Sequence, residues 1–133
     1  MPTDNNPSVL PSEVLLTFCK AAADSLRLNI LRLLKNDSFG VLELCRILDT
    51  AQSGMSHHLK VMHKAGLLEP QREGNAIFYR RPLNLDSDKL ADQAIRQIFV
   101  TVDRVALPRH LDEKIEAIRE QRAGQSQAFF SRH

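Results

Sequence analysis

Apolar residues recur at intervals of three and four along most of the chain, the spacing of helices with one buried face. A first predicted helix ends at Asp24, whose side chain can accept hydrogen bonds from the free N–H groups of the next helix. That second helix, "SLRLNILRLLKND", is apolar on most sides, and we expect it at the centre of the core. A third helix, "VLELCRIL", is predicted to bury one stripe, which consists of Val41, Leu44, Cys45 and Leu48.

The fourth predicted helix has two contrasting faces, and the short polar turn "DTAQS" joins it to the third. Its inner stripe consists of Met55, Leu59 and Met62. The opposite stripe is polar and follows the spacing i, i+3, i+4, i+7, i+11 through Ser53, Ser56, His57, Lys60 and Lys64. We expect Gly66 to end this helix.

A β-hairpin is predicted next, in "LLEPQREGNAIFYRRP". Strand-like residues flank the pair Gly74-Asn75, which suits the positive φ angles of a tight turn. The hairpin would project basic residues at Arg72, Arg80 and Arg81.

Two helices are predicted after the hairpin. One begins at Asp86 and carries a face that is too apolar for a lone surface helix, with Leu90, Ala94, Ile95, Ile98, Phe99 and Val102. This face therefore predicts a partner. Pro108 should stop or kink the helix before "HLDEKIEAIREQR" resumes the pattern.

Composition narrows the class of protein. A chain of 133 residues suits one domain, and 43% hydrophobic with 26% charged residues excludes both a disordered and a membrane-embedded chain. The first eleven residues show no secretion or transit signal, so we expect a cytoplasmic protein with no membrane partner. Net charge is only +2, but five basic and two acidic residues between Gln52 and Arg81 give that segment a surplus of +3.

Helix, short turn, amphipathic helix and basic hairpin is the order of elements in a winged helix-turn-helix. The predicted fold is therefore mainly α with a small β-hairpin wing (α+β). Small residues allow close approach to DNA, longer polar ones can reach base edges, and basic ones suit phosphates. The candidate DNA-binding residues are Gln52, Ser53, Gly54, Ser56, His57, Lys60, Lys64, Arg72, Asn75 and Arg80, together with Arg81 for phosphates.

A metal or catalytic site is disfavoured. His58 and His63 are five residues apart, about 140° around a helix, and cannot chelate one ion together. No carboxylate lies between Ala51 and Leu68, so the HExxH arrangement of a zinc hydrolase is absent. We find no nucleophile, base and orienting group at a workable spacing and no phosphate-binding glycine loop, so neither an enzyme nor a cofactor is expected.

The blocks "ADSLRLNILRLL", "VLELCRIL", "QSGMSHHLKVMHKAGLL" and "REGNAIFYR" resemble, in order, those of the ArsR/SmtB family of winged-helix repressors. The resemblance implies a homodimer paired through its first and last helices, which releases operator DNA when an effector arrives. It also implies that His58 joins the DNA-reading positions Gln52, Ser53, Gly54, Ser56 and His57.

Departures from the family pattern bear on the effector. Leu42 replaces the cysteine of the arsenic site, and Gln97 and Phe99 replace ligands of the zinc site, so neither site is expected here. Cys19 and Cys45 are either buried structural residues or a thiol switch, as in redox-sensing relatives. If the cysteines form a switch, the effector would be a redox signal. The other candidate effector, an adenosyl metabolite, is suggested by the tail of the chain.

The tail "EKIEAIREQRAGQSQAFFSRH" resembles a linker that joins some family members to an S-adenosylmethionine-dependent methyltransferase domain. An alternative function is therefore a regulatory and dimerisation module of such an enzyme, without DNA binding. We predict a flexible arm over residues 1–11, a winged helix-turn-helix with its dimerisation helix over 12–107, and a helical extension over 108–133.

Overall fold

A computed structural model describes the backbone of residues 8–131 and the side chains of residues 8–125. Residues 1–7 of the predicted arm, and 132–133 at the other end, lie outside the described residues. Helices and strands follow one another as α1 (Ser12–Ala22), α2 (Ser25–Leu33), β1 (Phe39–Gly40), α3 (Val41–Leu48), α4 (Gln52–Lys64), β2 (Glu69–Glu73), β3 (Ala76–Arg80), α5 (Leu90–Val102) and α6 (His110–Ser131).

Helix α2 lies in the core, as its apolar sequence predicts. Ile30 and Leu31 are completely buried. The helix begins at Asp24, whose side chain accepts a hydrogen bond from the backbone N–H of Arg27 at 3.1 Å, which confirms the predicted cap. This hydrogen bond holds the pKa of Asp24 below its ordinary value.

Helices α3 and α4 form the predicted helix-turn-helix, but the buried stripe of α3 is rotated from its predicted position. Leu44 and Ile47 are fully buried, whereas Val41, Cys45 and Leu48 are half-buried at the edge of the core. The inner stripe of α4 is confirmed, because Met55, Leu59 and Met62 are all buried. Gly66 follows the helix with a φ of 82°, a left-handed conformation that glycine adopts without strain.

The sheet has three strands in the order β1-β3-β2, and all its pairs are antiparallel. The predicted hairpin is β2–β3, which turns at Gly74 and Asn75 with a φ of 62° at the glycine. The third strand, β1, is not predicted from the sequence; it pairs Phe39 with Tyr79 and buries the Phe39 ring. A two-residue strand has no alternation that could reveal it.

Helix α5 begins at Leu90 rather than at Asp86. The apolar face of α5 predicts a partner, and helices α1 and α2 of the same chain cover most of it. On this face Ile95, Phe99 and Val102 are buried. The helix is interrupted as predicted, although it ends six residues before Pro108.

Helix α6 packs on α3, and its residues Leu111, Ile115 and Ile118 are buried in the core. It runs from His110 to Ser131, inside the range 108–133 predicted for a helical extension. Among the described helices, none combines the length and the hydropathy needed to cross a bilayer.

Candidate nucleic-acid interface

The polar stripe of α4 faces outward. Because the opposite face packs into the core, the helix cannot rotate to hide these side chains. We call this set the α4 strip, and all its members are exposed: Gln52, Ser53, Ser56, His57, Lys60 and Lys64. The first turn of the helix contains no acidic residue that would repel a phosphate.

The wing and the start of α4 border one open groove of about 500 Å³. Gln52 lines it from α4, and Asn75 and Ile77 line it from the wing. Leu42 of α3 also lines the groove and is 63% exposed. The beginning of the α4 strip and the tip of the wing are therefore presented on the same side of the molecule.

His58 lies apart from the α4 strip. Its ring is half-buried, and Nδ1 accepts a hydrogen bond from Nε of Arg27 at 3.1 Å. Arg27 also donates to the backbone carbonyls of Lys20 and Ala21 at the end of α1. Although family resemblance places His58 among DNA-reading positions, here its ring anchors α4 to α1 and α2.

The wing tip carries exposed polar side chains. Arg72 on β2 and Asn75 in the turn are exposed, and neither side chain hydrogen-bonds to another described side chain or backbone group. Arg72 pairs across the hairpin with Ile77, which is itself 43% exposed. A cation with no carboxylate partner is available to an external anion.

Arg80 is half-buried at the base of the hairpin and is already paired. Its Nε donates to Oε1 of Glu69 at 2.9 Å, and Nη1 donates to the side-chain carbonyl of Gln71. Since both partners belong to β2, Arg80 ties the two strands together. A phosphate would have to share this guanidinium with Glu69.

Arg81 does not face solvent, which corrects its prediction as a phosphate contact. The residue is 9% exposed, its Nη2 lies 2.7 Å from Oδ1 of Asp103, and its Nε donates to the carbonyl of Leu31 at 2.9 Å. Its guanidinium also stacks on the Phe99 ring, 4.6 Å from the centroid. The hydrogen bonds from Arg81 hold the pKa of Asp103 below its ordinary value.

The sequence patterns do not identify Arg27 and Asp103 as anchoring residues. For Arg81 the sequence held one signal: consecutive residues at a strand end point to opposite faces, so Arg80 and Arg81 were not expected to share one surface. No local pattern points to Arg27, since its partner His58 is 31 residues away.

The two cysteines differ in exposure. Cys19 on α1 is exposed, so the prediction of a buried structural residue is wrong at this position. Cys45 is half-buried and packs against the core, and burial raises the pKa of its thiol. Among the described residues, no three His, Cys, Asp or Glu side chains come close enough to form a metal site.

Known proteins resemble the segment of the chain that contains the helix-turn-helix. Residues 24–69, which span α2, α3 and α4, match the model of "bacterial regulatory protein, arsR family". A helix-turn-helix transcriptional regulator of Methanocaldococcus jannaschii is 33% identical over 89 residues, which cover 65% of this chain and 88% of the relative.

Two further relatives have named regulatory roles. The arsenical resistance operon repressor of Escherichia coli is 34% identical over 80 residues, covering 58% of this chain and 68% of the repressor. The transcriptional activator HlyU of Vibrio cholerae is 37% identical over 64 residues, covering 48% and 59%.

Solved structures agree on the fold. The homodimeric winged helix-turn-helix domain of a possible ArsR-family regulator from Mycobacterium bovis superimposes with a TM-score of 0.58 at 24% identity, covering 77% of this chain and 86% of that one. The family model and the sequence relatives show that the chain belongs to the ArsR family and is a DNA-binding transcriptional regulator.

Proposed function

We propose that this regulator is a homodimeric repressor in which each protomer inserts the α4 strip into the DNA major groove. The observation that carries the proposal is that every member of the α4 strip is exposed, while Met55, Leu59 and Met62 on the opposite face of the helix are buried. An amphipathic helix of this kind fits the major groove, and the wing lies beside it at the same open groove of the protein.

The side chains of the proposed interface fall into those that contact base edges and those that contact the DNA backbone. Gln52, Ser56, His57 and Lys60 are proposed to meet base edges, whereas Lys64 contacts phosphate. On the wing, Arg72 and Asn75 contact the DNA backbone, and Arg80 adds a charge that it shares with Glu69. His58 supports α4 from behind through Arg27.

Gly54 supports close approach to DNA. A glycine inside a helix costs about 1 kcal/mol relative to alanine. A Cβ at Gly54 would meet only Cγ2 of Thr50, at an ordinary contact distance of 3.7 Å. Because packing inside the protomer does not require glycine here, contact with something outside it, together with the small neighbour Ser53, is the better explanation.

Dimerisation through the first and last helices of the winged helix-turn-helix over residues 12–107 is proposed to use α1 and α5, which pack together in the protomer. Leu15 and Leu16 of α1 are about half exposed, at 49% and 52%, and Val100 of α5 is 47% exposed. Burying these side chains against a second copy would remove apolar surface from water. The related Mycobacterium bovis domain is homodimeric.

Repression and release by a small effector follow the same proposal, because the Escherichia coli relative is a repressor. A transcriptional reporter with and without the regulator decides between repression and activation. We expect higher expression without it, whereas lower expression would show an activator. The protein would act in the cytoplasm, where operator DNA is accessible.

An adenosyl metabolite and a redox signal remain the two proposed effectors. A melting shift with S-adenosylhomocysteine supports the first, and no shift at millimolar ligand contradicts it. For a redox signal, Cys19 is the accessible thiol, and iodoacetamide should alkylate it in the folded protein before it alkylates Cys45. If oxidation of Cys19 does not change DNA affinity, the redox signal is excluded at this residue.

The proposal is tested by titrating the protein with the DNA upstream of its own gene and with an unrelated duplex of equal length. We expect tighter binding to the upstream DNA, in two half-sites about 34 Å apart. Roughly 6 to 10 phosphate contacts per dimer should make affinity fall steeply with salt. Equal affinity for both duplexes at every salt concentration would contradict a sequence-specific regulator.

A further inference from the structure

The side chain of Arg122 on α6 contacts the root of the wing, the part of the sheet where β1 and Phe78 of β3 lie together. Its Nε donates to Oε2 of Glu43 on α3 at 3.0 Å, and its Nη2 donates to Oε1 of the same carboxylate. That nitrogen also donates to the backbone carbonyl of Ser38 at 3.0 Å. The guanidinium therefore joins α6 both to α3 and to the segment that leads into β1.

The same guanidinium covers two aromatic rings of the sheet. Its central carbon lies 5.1 Å from the centroid of Phe39 on β1 and 5.7 Å from that of Phe78 on β3. Phe78 belongs to the strand that returns from the wing tip, and it pairs with Gly40 on one side and Gln71 on the other. Arg122 thus contacts the centre of the sheet from which the wing projects.

Glu43 links this contact to the helix-turn-helix. Its Oε1 also accepts a hydrogen bond from the backbone N–H of Gly40, the residue that precedes α3, at 3.0 Å. Burial raises the pKa of Glu43, but the hydrogen bonds from Arg122 and Gly40 more than offset this and hold it below its ordinary value. The carboxylate therefore stays charged and bound at neutral pH.

The wing needs such support. Beyond β1, which contributes two residues, the wing is a two-stranded hairpin, and an isolated hairpin is marginally stable in water. A DNA contact made at its tip requires the hairpin to keep a fixed angle to α4, within roughly 10 to 20°. Contacts at the root determine that angle.

We propose that Arg122 is a positioning residue for DNA binding, which fixes the wing relative to the α3–α4 pair and makes α6 part of the DNA-binding unit. The proposal rests on the proposed function for its consequence, the placement of Arg72 against phosphate. The structural step, that Arg122 holds the wing, is tested without DNA.

Hydrogen exchange of the full chain tests that step. In Arg122→Ala, we expect the amides of β2 and β3 to exchange roughly tenfold faster, while those of α4 keep their rates. The matched control is Arg119→Ala, which removes the same charge from α6 but breaks a bond to Asp37, outside the wing. Unchanged wing amides, or faster exchange throughout the protein, would overturn the proposal.

A double-mutant cycle on DNA tests the consequence. In the wild-type background, Arg72→Ala should reduce the slope of log affinity against log salt by about 1. In the Arg122→Ala background, the same change should have a clearly smaller effect, because the wing has already lost its position. Equal effects in both backgrounds would show that the two arginines act independently, as residues without contact usually do, and would overturn the proposal.

The two proposals fail in different ways. If the wild-type protein binds no duplex, the proposed function fails, while hydrogen exchange still decides the role of Arg122. If Arg122→Ala does not fold, Arg122→Lys replaces it, since lysine keeps the charge but cannot bond Glu43 in two places and reach Ser38. The same local exchange pattern at smaller size is expected, and wild-type exchange in Arg122→Lys would overturn the proposal.

Discussion

Arginine side chains lie in opposite surroundings at the tip of the wing and at its root, where Arg81 follows β3 and Arg122 of α6 contacts the sheet. At the tip, Arg72 is exposed and has no carboxylate partner among the described residues. At the root, Arg81 is bound to Asp103 and Arg122 is bound to Glu43. A guanidinium without a partner can donate hydrogen bonds to an external phosphate, whereas a paired one already donates to groups of the protein and holds its elements together. Charge alone therefore does not identify the interface.

The largest effect is expected at the root, on stability. Arg81→Ala should lower the free energy of unfolding by about 3 kcal/mol, because it removes the donor to the carbonyl of Leu31 and, among the described residues, leaves the carboxylate of Asp103 paired with only the more distant Arg32, at 3.7 Å. Arg72→Ala should change it by no more than about 0.5 kcal/mol. Urea unfolding measures both, and similar values at the two positions would remove the distinction between tip and root.

Acid should lower the stability of the protein partly through the ion pair between Arg81 and Asp103 at the root of the wing. The folded-state pKa of Asp103 lies below its unfolded value near 3.8, so the folded state binds fewer protons. Its contribution to stability is complete above that value and is lost as pH falls below it, through the folded pKa. The urea midpoint of Asp103→Asn should therefore fall less between about pH 5 and pH 2.5 than that of the wild type. Parallel curves would exclude Asp103 as a source of the acid sensitivity.

On the α4 strip, outside the wing, His57 should determine sequence preference. His57→Ala is expected to cost about 1 to 3 kcal/mol on the specific site and little on an unrelated duplex. His110→Ala, which removes an exposed histidine from the start of α6, is the control and should leave both affinities unchanged. Fluorescence anisotropy with both duplexes gives the comparison. Equal losses on the two would remove His57 from the base-reading face.

The smallest effect is expected at the tip. Arg72→Ala should weaken binding to both duplexes alike, by about 1 kcal/mol, since a phosphate contact carries no sequence information. The salt slope should fall by about 1. Arg109→Ala, which removes an exposed charge between α5 and α6, should leave the slope unchanged. A slope that falls equally in both variants would show a general charge effect and no wing contact.

Sequence alone predicted the features that depend on neighbouring residues. Amphipathic spacing located α4 and its inner residues, the side chain of Asp24 located the start of α2, and Gly74-Asn75 located the hairpin turn. Each of these features is determined within a few residues along the chain. The interface was inferred from the order of those elements.

What sequence alone missed depends on residues that are distant along the chain. The strand β1 exists because Phe39 meets Tyr79, and His58 is held by Arg27, 31 residues away. Arg122 reaches Glu43, 79 residues away. Tertiary packing determines these partners, and a basic residue that will pair looks the same in sequence as one that will stay free.

The central claim, that two α4 strips enter the major groove of one DNA site, is tested most directly by dimethyl sulfate protection. The reagent methylates guanine N7, which lies in the major groove. With the protein bound to the DNA upstream of its gene, we predict protection of N7 in two patches about 34 Å apart. Bound protein that leaves every guanine N7 reactive, or that protects a single patch, would contradict the account.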